Sequence, residues 1–97
     1  MENVTRVEII TDTLEMREVC ALLGSLGVTG FSLVRDVQGQ GERGRQLGDE
    51  LTDVFKNSYL LAACEPALAE RVAEAVRPLL KRRGGICLLT PARSVRH

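Results

Sequence analysis

Residues 59–90 read YLLAACEPALAERVAEAVRPLLKRRGGICLLT and contain a complete strand–helix–strand unit. Tyr59 to Cys64 is almost continuously apolar, which is how a strand reads when both of its faces are covered. Pro66 takes the first position of a helix, where its missing N–H costs no bond. Leu68, Val72, Val76, Leu79 and Leu80 then recur at helical spacing and define one apolar face. Pro78 falls inside that pattern and predicts a kink or the final turn. Gly84-Gly85 stops the helix, and Ile86 to Thr90 forms the next strand.

The same order occurs upstream. Residues 4–11, Val-Thr-Arg-Val-Glu-Ile-Ile-Thr, alternate and are rich in β-branched side chains, so they predict a strand. Asp12 or Thr13 caps the helix that follows, with Glu15 spaced for an Asp12-x-x-Glu15 capping box. Met16, Val19, Cys20, Leu23 and Leu26 supply its apolar face. Gly24 weakens the last turn, Gly27 ends it, and Gly30 opens a strand from Phe31 to Val37.

Two right-handed strand–helix–strand units predict an α+β fold, the ferredoxin-like βαββαβ sandwich, in one domain spanning 1–97. Its antiparallel four-stranded sheet would carry both helices on one face. The third and fourth strands are apolar at successive positions, yet helices of the same chain can cover only one sheet face. Association of copies through the open face resolves that conflict, since an uncovered apolar sheet invites aggregation.

Composition narrows the function. A chain of 97 residues buries only about 60–65% of its unfolded surface, which leaves it marginally stable alone. Aromatic residues make up 3%, Phe31, Phe55 and Tyr59, too few to stack single-stranded bases. Tyr59 to Cys64 is the longest apolar run and is far short of the ~20 residues that span a bilayer. Met1-Glu2-Asn3 lacks the basic-then-apolar pattern of a secretion signal, so a cytoplasmic protein is expected, not inserted in a membrane. Cys20, Cys64 and Cys87 form no C-x-x-C pair, lie in apolar stretches and read as buried structural thiols. The single histidine, His97, is the last residue, and no zinc-ligand spacing is present.

The zero net charge conceals an asymmetry. Residues 1–76 hold seven basic and thirteen acidic side chains, a balance of −6. Residues 77–97 hold six basic ones and no acidic one, a balance of +6. A basic terminal segment predicts an anionic partner. A nucleic-acid domain usually carries a positive excess overall, so no nucleic acid is expected.

The segment between the halves, residues 38–57, has four glycines and no strong helical or strand period. A connection this long in a small domain is usually functional or disordered. Its first part interleaves Gly39 and Gly41 with Arg43 and Arg45. Glycine lets backbone N–H groups approach an anion, and guanidinium forks grip carboxylate or phosphate oxygens. No G-x-x-x-x-G-K-[ST] phosphate loop is present. A second cationic turn, Lys81-Arg82-Arg83-Gly84-Gly85, exceeds what helix-dipole complementarity asks for. Cross-subunit packing would bring the two together as a cleft for an anionic ligand.

Four stretches in order, Leu26 to Phe31, Gly39 to Gly41, Gly44 to Gly48 and Ala92 to Arg96, together resemble segments of the PII signalling proteins. Leu26-Gly27-Val28-Thr29-Gly30-Phe31 looks like their helix-to-strand segment, and the second strand running into Gly39-Gln40-Gly41 resembles the approach to their T-loop. Gly44-Arg45-Gln46-Leu47-Gly48 is similar to the base of that loop, and Ala92-Arg93-Ser94-Val95-Arg96 to their C-terminal segment. The order of these segments holds over nearly the whole chain. The resemblance implies a homotrimeric, non-enzymatic sensor with nucleotides in clefts between subunits and a T-loop, residues 38–57, that changes with the ligand. Ile10 would flank adenine. Arg43 or Arg45 would reach phosphates with Arg96, and Arg93 lies in the same C-terminal segment. Gly84 and Gly85 would be the remnant of the B-loop, beside Lys81, Arg82 and Arg83.

The departures point within the family. The B-loop is short and lacks an aspartate before its lysine, and the T-loop has no tyrosine to modify. The chain therefore looks like the compact branch associated with inorganic carbon and carboxysomes, whose effectors are AMP, ADP and in some members bicarbonate. Gly41, Arg43 and Arg45 would hold bicarbonate, and the loop would engage a membrane transporter or a carboxysome-associated protein. No tightly bound cofactor is implied. The alternatives are a nitrogen-type regulator of ammonium transport, a slow nucleotide hydrolase using Glu42, Asp49 and Glu50, and a trimeric divalent-metal tolerance protein of similar fold.

Overall fold

β-Branched alternation at the N-terminus builds the strand around which the sheet forms. In the computed structural model, which describes residues 1–38 and 56–97, the elements are β1 (Glu2–Asp12), α1 (Thr13–Ser25), β2 (Ser32–Val37), β3 (Asn57–Cys64), α2 (Pro66–Arg83) and β4 (Ile86–Ser94). The strand order is β2-β3-β1-β4 and every neighbouring pair is antiparallel, which is the ferredoxin-like arrangement. Gly39, Gly41, Arg43, Arg45 and the acidic residues Glu42, Asp49 and Glu50 lie outside the described residues.

One sheet face carries the core. Val7 and Ile9 of β1 pair with Ala62 and Leu60 of β3, and these meet Met16, Val19 and Leu23 of α1 and Ala69, Val72 and Val76 of α2. Leu68, Leu79 and Leu80 are only half-buried at the margin of this core. Ala69, which the larger residues overshadow in the sequence pattern, is fully buried.

The helix ends follow local chemistry. The Asp12 side chain accepts from the Glu15 backbone N–H at 2.7 Å and caps α1. At the other end, Gly27 takes φ +98° and donates to the Gly24 carbonyl, while Val28 donates to the Leu23 carbonyl. These two bonds form a Schellman motif, and Val28 is buried with Leu23 in the same core cluster, as such motifs prefer. α2 continues five residues past Pro78, so the proline does not mark its last turn. It only withholds a donor from the Glu74 carbonyl.

The strands differ from the sequence expectation mainly in length. β4 runs to Ser94 through Pro91, four residues beyond Thr90. It is an edge strand, where a proline's missing N–H can face away from the ladder. β2 begins at Ser32, and its pairing with β3 shifts between Val34 and Val37, where Asp36 takes φ +58°. A bulge with a left-handed aspartate accounts for that irregularity.

Among the described residues, no helix lies on the opposite sheet face. Val34, Tyr59, Ile10 and Ile86 form one row across it, and Ser32, Leu61, Glu8 and Leu88 the next. Ile86, Leu88, Val34 and Leu61 are exposed in the single chain. Between these rows the Tyr59 hydroxyl donates to Glu8 Oε2 at 2.6 Å, and Arg6 Nε stands 3.5 Å from Glu8 Oε1. This face is the uncovered apolar surface that the strand patterns predict.

The three thiols are free, with Cys64 buried and Cys20 and Cys87 half-buried. Burial raises the pKa of each, which makes them poor nucleophiles. No described helix is long and apolar enough to cross a membrane.

The Glu8 contact makes Tyr59 a spectroscopic reporter. The hydrogen bond to Glu8, then burial and the Glu8 charge, raise the phenol above its usual value of 10.0, with Arg6 opposing. A raised pKa favours the neutral phenol, so this stabilisation is complete below 10.0 and is lost as pH rises through the native value. Tyr59 is the sole tyrosine and there is no tryptophan, so absorbance near the phenolate band reports it alone. The native midpoint is expected above that of the denatured chain, and Glu8→Gln is expected to narrow the gap by removing the largest cause. Coincident midpoints in the unmodified protein would contradict the contact.

Candidate functional site

Three segments meet where the 38–57 segment leaves and rejoins the fold. Val37 pairs with Asn57, and Asn57 pairs with Asp12, so both ends of that segment flank the end of β1. Thr13 donates twice to the Lys56 carbonyl, from its backbone N–H at 3.0 Å and its hydroxyl at 3.1 Å. Its hydroxyl also lies 3.2 Å from that of Ser58. A β-branched hydroxyl at the first helical position thus locks the start of β3 to the start of α1.

The Gly84–Gly85 turn closes the same corner. Thr11 Oγ1 donates to the Gly84 carbonyl at 2.9 Å. Gly85 takes φ +133°, and a Cβ there would stand 2.5 Å from the Ile10 carbonyl oxygen. Only glycine fits both the backbone conformation and the approach. Ile10, Gly84 and Gly85 therefore lie together at the end of β1, beside the start of α1 and Asn57.

The cations before the turn are already engaged. Arg82 Nη2 donates to Glu18 Oε1 at 2.6 Å and stands 3.4 Å from Glu15 Oε2. Arg83 Nη1 lies 3.3 Å from Asp12 Oδ2, and its Nε lies 3.8 Å from Glu15 Oε1. The Glu15 side chain is 3% exposed, so its charge needs these partners. The capping spacing of Asp12 and Glu15 thus serves a second purpose, holding the C-terminus of α2 against the first turn of α1. Lys81 is exposed.

Arg93 and Arg96 are elsewhere. Arg93 pairs with Asn3, seven residues along β4 from the Ile86–Ile10 pair, which separates the two corners by about 23 Å. Arg96 follows the end of β4 and is exposed. Near Arg93 the open face forms a cavity of about 430 Å³ lined by Val4, Arg6, Gly30, Phe31, Ala63 and Arg93, among others. Arg6 and Phe31 escape a sequence reading of the site. Arg6 looks like any outward residue of an alternating strand, and Phe31 looks like the start of one.

One subunit therefore carries the glycine-lined corner at Ile10 and the largely apolar cavity beside Arg6 and Arg93 at opposite ends of its sheet. Among the described residues, no group of three or more His, Cys, Asp or Glu side chains could hold a metal ion.

Substitution of the two glycines separates structure from composition. Gly85→Ala is expected to destabilise the fold by about 1–3 kcal/mol, because the residue keeps a positive φ and meets backbone atoms. Gly24→Ala, in α1 with open space around it, is expected to stabilise by about 0.5–1 kcal/mol. Urea denaturation at fixed protein concentration measures both. Equal effects would show that the Gly85 approach is unimportant.

Residues 4–97 match the family model described as nitrogen regulatory protein P-II. No curated protein matches the chain. Among solved structures, the chain is similar to CPII, a nitrogen regulatory PII-like protein from Thiomonas intermedia K12, bound to ADP, AMP and bicarbonate. The TM-score is 0.80 at 19% identity, covering 98% of this chain and 96% of that one. A PII-like signalling protein from Thermus thermophilus follows, with a TM-score of 0.76 at 18% identity over 97% and 91% of the two chains. The B. subtilis GlnK–ATP complex gives a TM-score of 0.69 at 21% identity over 95% and 84%. At these identities the structural likenesses establish the fold, and the family match covers nearly the whole sequence: the chain belongs to the P-II family of signalling proteins.

Proposed function

We propose that this chain is a regulatory sensor, not an enzyme, that binds AMP or ADP together with bicarbonate in clefts between the subunits of a homotrimer. The observation that carries the reading is the separation of the two partial sites on one sheet. The corner at Ile10, Gly84 and Gly85 and the cavity beside Arg93 are complementary in chemistry. They can meet only when a neighbouring copy presents one against the other. The row of Val34, Tyr59, Ile10 and Ile86 on the uncovered face supports that association.

In the cleft, Ile10 flanks the adenine, and the apolar wall of the cavity covers it from the adjoining subunit. Arg43 or Arg45 reaches the phosphates from the loop, with Arg96 and Arg93 approaching from the other side. Bicarbonate takes the same loop base, at Gly41, Arg43 and Arg45. The ligand set of CPII, whose fold this chain shares, supports the choice of ADP, AMP and bicarbonate. The ligand state is read through residues 38–57 by a membrane transporter or a carboxysome-associated protein, and so governs uptake or fixation of inorganic carbon. The absence of a tyrosine from that loop supports this over a nitrogen-sensing role controlled by tyrosine modification.

Light scattering and calorimetry test the reading. The particle is expected at three times the chain mass of 10.6 kDa, binding AMP and ADP, with bicarbonate changing the nucleotide affinity. Arg45→Ala is expected to weaken nucleotide or bicarbonate binding about tenfold, the loss of one charge-assisted contact. A monomer that binds no adenine nucleotide overturns the proposal, and steady release of phosphate from ATP would favour the hydrolase.

A further inference from the structure

Among the described residues, Glu15 is the only charged side chain that is fully enclosed, and it faces the two arginines that precede the Gly84–Gly85 turn. Both arginines remain about half exposed, Arg82 at 55% and Arg83 at 48%, so each still has an edge turned to solvent. Three carboxylates, Asp12, Glu15 and Glu18, surround these two guanidinium groups. Asp12 and Glu18 are reached by water more readily than Glu15. Glu15 is thus the fixed member of the group, held by the first turn of α1, where a helix N-terminus favours negative charge.

We infer that Glu15 is a specificity-determining counter-anion, which competes with ligand phosphates for Arg82 and Arg83 and biases the site toward nucleotides with fewer phosphates. This rests on the reading that the turn faces a nucleotide. A phosphate that recruits either arginine must draw it from a carboxylate it already serves, so the gain from each added phosphate is reduced. Discrimination of this kind comes from weakening the wrong ligand, not from strengthening the right one. The cationic turn, which looks in the sequence like a polyphosphate grip, is charge-compensated from within the same subunit.

Glu15→Gln tests this, because it keeps the side chain's size and removes its charge. Calorimetry on the full chain with AMP and with ATP is expected to show the ATP-to-AMP affinity ratio rising about three- to tenfold, with AMP itself changing less than about twofold. Glu18→Gln, at an exposed site that should leave folding intact, is expected to move the ratio the same way by a smaller factor. Arg82→Gln added to Glu15→Gln is expected to cancel most of the rise. A merely structural role for Glu15 would weaken both nucleotides alike, and an unchanged ratio or an equal loss overturns the inference while leaving nucleotide binding in place. Absence of nucleotide binding in the unmodified chain overturns both.

Discussion

The contact between Gly85 and the Ile10 carbonyl is the constraint from which the rest of the candidate site is suspended. β1 lies between β3 and β4 in the sheet, and its last residue, Asp12, caps α1. Placing a glycine backbone directly on Ile10 and Thr11 fixes where α2 ends and β4 begins. The Thr11 hydroxyl then fastens the Gly84 carbonyl, and Thr13 fastens Lys56 two residues further along. Three chain reversals are thereby gathered at one corner by short side chains and close backbone contact. None of these contacts depends on a long, mobile side chain, so the corner is defined by the backbone and short hydroxyls alone.

Much of this architecture is legible in the residues. The alternation of 4–11, the glycines at 27 and 84–85 and the proline at 66 each act through local chemistry, so the elements they predict form where expected. The misplacements occur where neighbours decide. β4 extends through Pro91 because an edge position tolerates a missing donor, and α2 passes Pro78 because only one carbonyl loses its partner. Among core positions, Ala69 is hidden from a pattern based on large residues. The ferredoxin-like order itself is readable because two similar units repeat.

The site is only partly readable, for a physical reason. Clustered positive charge in a sequence carries no information about which carboxylates will face it. The run Lys81-Arg82-Arg83 stands 63 residues or more from Glu18 in sequence, yet the packing of α1 on α2 brings the charges within bonding distance. The terminal charge excess of residues 77–97 is in part an internal balance. Conversely, Arg6 belongs to no charge cluster, Phe31 reads only as part of a helix-to-strand segment, and the cavity they line is visible only in the folded chain. Arg93 and Arg96 read naturally as partners of the 84–85 turn, while the strand register sets Arg93 at the far end of the sheet.

That placement has a genetic consequence. In an assembly whose pockets each take one end from two different copies, damage to the glycine corner and damage to the arginine end belong to separable functions. Two inactive versions of the chain, one broken at each end, would rebuild a sound pocket at any junction where their undamaged ends face one another. A single impaired copy would likewise spoil a pocket that its neighbour helps to form. On the proposed arrangement, each subunit would contribute to two sites and be the sole owner of neither.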